Sequence, residues 1–74
     1  MNKKDRKKIE GILNNISVEK GNLEELKNEL DERADNLEEH FSDKAEKIRD
    51  ESDKIQEVID NLDSVVSDMD VSGW

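Results

Sequence analysis

From Ile9 to Met69 apolar side chains return mostly every three or four residues, and charged or amide side chains fill the intervals. That spacing holds side chains on one face of an α-helix. Ile9, Ile12, Ile16, Leu23, Leu26, Leu30 and Leu37 fit a single heptad register, with Glu19, Arg33 and His40 at polar positions of the same stripe. After Leu37 the phase slips: Leu37, Phe41 and Ala45 step by four and four. Ala45, Ile48, Ser52, Ile55, Ile59, Leu62, Val66 and Met69 then resume the heptad. Such a slip is either a stutter in one long coiled coil or the place where the chain turns back.

A reversal within residues 41–53 lays the second helix antiparallel on the first, because short connections make antiparallel neighbours. Ser42 and Asp43 suit a helix N-cap, with Glu46 three residues after Asp43, and Ser52 and Asp53 followed by Gln56 offer a second start. Gly21-Asn22 is the weak point of the first helix. A lone interior glycine costs only ~1 kcal/mol, and the heptad passes through it, so a continuous helix is expected there. The expected fold is all-α: a long helix and a shorter one in an antiparallel hairpin, dimerising into a coiled coil or four-helix bundle. Residues 9–70 form this domain, with a basic arm at 1–8 and a tail at 71–74.

Composition explains why self-association is expected. Only 31% of the 74 residues are apolar and 45% are charged, so one copy buries a thin core. The chain lacks cysteine and proline and has three glycines, so no disulfide reinforces the core and little interrupts a helix. The expected oligomer seam consists of Ile16, Leu23, Leu26, Leu30, Leu37, Phe41, Ile48, Ile55, Ile59, Leu62 and Val66.

Charge is distributed unevenly. Residues 1–8 carry a net +4, whereas residues 21–41 carry −6, and the whole chain is −9. Phosphates repel such a body, so direct binding to nucleic acid or an anionic membrane is not expected, and a partner with a basic surface is. No apolar run approaches the ~18 residues of a membrane span, and no signal-peptide core follows the basic start. The expected location is cytoplasmic.

Candidate chemistry is sparse. His40 is the lone histidine and has no second imidazole or thiol for a metal or nucleophile site. Asp68-x-Asp70-x-Ser72-Gly73 echoes the start of a calcium loop, but the sequence supplies no bidentate Glu at the twelfth position that such a loop needs, so no calcium site is expected. No glycine-rich phosphate loop is present. These absences predict neither enzyme activity nor a cofactor. The carboxylates are the remaining signal. Glu24, Glu25, Asp31, Glu32, Asp35, Glu38 and Glu39, with Asp60 and Asp63 on the second helix, are the candidate partner-binding face. Leu23 to Phe41 spans roughly 28 Å at 1.5 Å per residue. Two such helices together carry about one carboxylate per 1.8 Å, against roughly one phosphate per 1.7 Å in duplex DNA. Trp74 is a candidate tail anchor, since Trp is favoured at interface centres.

Leu23-Glu-Glu-Leu-Lys-Asn-Glu-Leu30, His40-Phe-Ser-Asp-Lys-Ala-Glu-Lys-Ile48 and Val58-Ile-Asp-Asn-Leu62 resemble small acidic helical proteins of bacteriophages and mobile elements. The resemblance covers about residues 23–66. It differs in carrying Ile48 where an aromatic is expected and in having no connector glycine. It implies no chemistry. It does imply a phage-type protein acting on a host nuclease, helicase or defence protein.

Two functions are therefore expected. The first is non-enzymatic inhibition of a host nucleic-acid-processing or defence protein by a DNA-mimicking acidic homodimer. The alternative is a structural or adaptor coiled coil whose acids only keep it in solution. A ligand bound between subunits ranks third, because the −9 charge disfavours anionic ligands.

Overall fold

A computed structural model describes residues 2–69 of the chain. Two helices, α1 (Lys3–Leu37) and α2 (Ser42–Asp68), pack side by side with the chain reversing between them. The molecule is a rod of 58 × 15 × 11 Å. Of the two outcomes of the phase slip, the chain takes the hairpin.

α1 begins where the Asn2 side chain accepts a hydrogen bond from the Asp5 backbone N–H at 2.8 Å, an N-cap that satisfies one of the donors left over in a first turn. The basic segment read as an arm thus forms the first turns of α1. The helix runs unbroken through Gly11 and Gly21, and a Cβ at either would meet nothing within 4 Å.

Reversal falls at residues 38–41, ahead of the expected 41–53 window and well before the Ser52 alternative. The Leu37 carbonyl accepts from the N–H of both His40 (3.3 Å) and Phe41 (2.7 Å). Phe41 then leaves the helical region at φ −138°, ψ 57°, and α2 starts at Ser42. Phe41, not Ser42 or Asp43, occupies the N-cap position, and it makes no side-chain cap bond. Asp43 lies in the first turn instead, where a carboxylate meets the positive end of the helix dipole. No described residue has positive φ, so the turn needs no glycine. Ser52 and Asp53 are interior to α2.

Leu30, Ala34, Ala45, Ser52 and Ile59 are the buried residues. The α2 face follows the expected column from Ala45 to Val66. The α1 face is turned relative to the expected register. Its two columns are Ile9, Ile16, Leu23, Leu30 and Leu37, and Leu13, Lys20, Lys27 and Ala34. Ile12 and Leu26 are left 58% and 42% exposed. A stripe scored on large apolar residues alone overlooks Ala34, which is wholly buried and lets the helices come close near the turn. It also overlooks the lysines, whose stems cover apolar surface while their ammonium groups reach the rim.

Since Gly21 has no special conformation and no crowded Cβ direction, Gly21→Ala is expected to raise unfolding free energy by ~1 kcal/mol in chemical denaturation. Ala34→Leu, by contrast, is expected to destabilise by about 1–3 kcal/mol through overpacking. A stabilising Ala34→Leu would contradict the close approach of the helices.

Candidate partner-binding faces

Two helices side by side leave two open faces and two outer edges. Which residues occupy each follows from the helical step of 100° and from the cross-helix bonds. Lys20 stands opposite Asp63, Asp31 opposite Ser52, and Asp35 opposite Arg49.

One open face is charged, and three groups of bonds tie it together. Near the turn, Arg49 donates to Asp35 at 3.1 Å and to Glu38 at 2.9 Å. At mid-length, the buried Ser52 hydroxyl donates to Asp31 at 2.5 Å, and Lys27 donates to the other oxygen of Asp31 at 2.9 Å. Toward the open end, Lys20 donates to Asp63 at 2.6 Å. These partners shift the titrations. The Ser52 and Lys27 hydrogen bonds hold the Asp31 carboxyl below its ordinary value, and the Asp63 hydrogen bond raises the Lys20 ammonium above its own. The Glu38 and Asp35 bonds likewise raise Arg49.

The opposite face is apolar. Ile12 and Leu26 of α1 and Val58 and Val65 of α2 are exposed there, each one helical position from the core on the side away from the ion pairs. At the open end of the layer Ile12, Asn15, Ile16, Glu19 and Leu62 line a shallow groove of about 230 Å³. Glu19, Arg33 and Glu51 share this face.

The outer edge of α2 carries Asp43, Glu46, Asp50, Asp53, Glu57 and Asp60, spaced by three and four residues and all exposed. None of the six is in an ion pair among the described residues; Asp60 accepts a hydrogen bond from Gln56 at 3.0 Å. The outer edge of α1 carries Glu25, Glu32 and Glu39.

The candidate acids therefore do not share a single surface. Asp31, Asp35, Glu38 and Asp63 serve the ties of the charged face. Glu24 borders that face, close enough to Lys20 to add to its shift. Glu25, Glu32 and Glu39 lie on one edge and Asp60 on the other. Five members of the α2 stripe were not among the candidates, although their heptad spacing, out of phase with Ala45, Ser52 and Ile59, is visible in the sequence. Of the candidate seam, Leu30 and Ile59 are buried in the hairpin and Leu26 and Phe41 are exposed; the others are half-buried. Lys44 sits over the Phe41 ring, 5.2 Å from its centroid, a cation–π contact. Trp74 and the 71–74 tail lie outside the described residues.

Among the described residues no group of three or more His, Asp or Glu side chains is placed to hold a metal ion, and no helix is long and apolar enough to cross a membrane. Compared with known proteins, the chain matches no family model, no curated protein and no solved structure.

The Asp31 tie has a defined pH signature. Its folded pKa lies below the ordinary 3.8, so its contribution to stability is complete above that value and is lost as pH falls through the folded pKa. Asp31→Asn is expected to lower the thermal midpoint at neutral pH, and the gap from the parent chain should close as acid protonates Asp31. A gap that persists at pH 2 would show that the loss comes from packing rather than from the charge.

Proposed function

We propose that the chain is a non-enzymatic, phage-type protein that dimerises through its apolar face and presents acidic edges to a basic, nucleic-acid-binding surface of a host protein of the nuclease, helicase or defence class. The observation that carries this reading is the carboxylate stripe from Asp43 to Asp60, six acids at three- and four-residue steps with Lys47 and Lys54 along one border. The ion pairs of the hairpin do not consume these charges: Lys20, Lys27 and Arg49 pair with Asp63, Asp31, Asp35 and Glu38 on the charged face. Six carboxylates over about 26 Å of helix give roughly one per 5 Å, against one phosphate per ~3.4 Å on a DNA strand. A stripe whose only task is solubility has no need to keep one azimuth over five helical turns.

Dimerisation follows from the apolar face. Ile12, Leu26, Val58 and Val65 are exposed along it, and a second copy would take them out of water. A second copy covering it gives a four-helix bundle whose edges stay in solvent.

The adaptor reading is favoured by that same apolar face, and the two separate cleanly. Capture of partners from host lysate at low and raised salt, with duplex DNA as competitor, is the test. On the inhibitor reading the partner carries a basic groove, is released by salt because exposed charges are screened, and is displaced by DNA. The triple variant D50K/D53K/E57K is expected to lose at least tenfold in affinity while keeping its helicity. Binding that survives both salt and the triple variant would leave the adaptor reading in its place.

A further inference from the structure

α1 is longer than the helix it packs on. With Lys20 level with Asp63 and Asp31 level with Ser52, Asp68 comes level with Asn15. Residues 3–14 of α1, about 18 Å of helix at 1.5 Å per residue, therefore run on past the end of α2. The apolar stripe does not stop there. Ile9 and Leu13 continue the two columns that α1 turns toward α2, and Ile12 beside them is 58% exposed. No residue of α2 stands level with any of the three. The groove lined by Ile12, Asn15, Ile16, Glu19 and Leu62 lies at this step, where one helix gives out and the other continues.

We infer that Trp74 of the same chain fills this groove. Residues 70–74 lie outside the described residues and read Asp-Val-Ser-Gly-Trp. They follow Met69, the C-terminal cap of α2, which the register sets beside the groove. Five residues reach as far as about 17 Å when extended, more than the ~10 Å width of the helix they have to cross. The lining suits an indole. Ile12, Ile16 and Leu62 supply apolar surface for the ring, and the oxygens of Asn15 and Glu19 supply the acceptor that the ring N–H needs when it leaves water. Charge favours the same placement. The first eight residues, at the projecting end of α1, carry a net +4, and Asp68 and Asp70 lie on the approach to Trp74.

Tethering decides between this occupant and a second copy. A segment joined to α2 by a few residues is present at an effective concentration of about millimolar, so it takes the groove ahead of another molecule supplied at micromolar concentration. Leu26, Val58 and Val65 stay open on the rest of the apolar face. The inference therefore stands whether or not that face pairs with a second copy.

Trp74 is the only tryptophan and the chain has no tyrosine, so its fluorescence reports the contact in the full chain. The expected emission is blue-shifted from that of the same chain unfolded in denaturant, with acrylamide quenching several times slower. Both properties should hold on dilution. Ile12→Glu changes an exposed helical position to another good helix former. It is expected to move emission and quenching to the values of the unfolded chain while circular dichroism keeps its helical signal. Val58→Glu, on the same face but outside the groove, is expected to leave both unchanged. Solvent-exposed emission in the parent chain overturns the inference, as does emission that ignores Ile12→Glu. Shielding that is lost on dilution or in Val58→Glu overturns it too, by assigning the cover to a second copy.

Discussion

A layer of two helices has one seam, and here that seam must hold against the self-repulsion of a chain with net charge −9. The apolar contribution is small, because the buried set comprises two large aliphatic side chains, two alanines and a serine. Register therefore falls to the polar ties along one open face. Arg49 reaching two carboxylates, Asp31 shared by Ser52 and Lys27, and Lys20 on Asp63 fix one helix against the other at three separated levels. Exposed ion pairs contribute little individually. Their value here lies in specificity: a slip of α2 by one heptad toward the open end would set Arg49 opposite Asn28 instead of Asp35 and Lys20 opposite Gln56 instead of Asp63.

Placing the cations on one face has an effect on every other surface. The opposite face can be apolar, since no ion pair needs to cross it. The outer edge of α2 can be rich in acids, bordered by Lys47 and Lys54, since the ion pairs of the hairpin do not draw on those carboxylates. Ties, apolar face and acidic edges thus occupy different azimuths of the same two helices, and a change at one of them need not disturb the others.

Acid concentrated on an edge is also easier to present to a partner than acid spread around a rod. Coulomb attraction between exposed groups fades over roughly 8–10 Å at physiological salt, so only carboxylates that share an azimuth act together on a basic groove. The Asp43–Asp60 stripe meets that condition within a single helix. Glu25, Glu32 and Glu39 meet it on α1 at a lower density, with one side chain in every seven residues.

Helicity, the single apolar stripe of α2 and the position of the phase slip were legible in the sequence, because each depends on local spacing. So was a helix continuous through Gly21, since one glycine costs less than the seam on both sides supplies. The face that α1 turns to its neighbour was not legible. Leu26 looks like a core residue and Ala34 does not, until the second helix arrives and rewards close approach over side-chain bulk. Nor could the sequence say which acids stay available. Asp31, Asp35, Glu38 and Asp63 look like their neighbours along the chain, and only the antiparallel register brings Arg49, Ser52 and Lys20 to them. Local spacing decides what a helix is; which of its sides meets a partner is decided by contacts between residues distant in sequence.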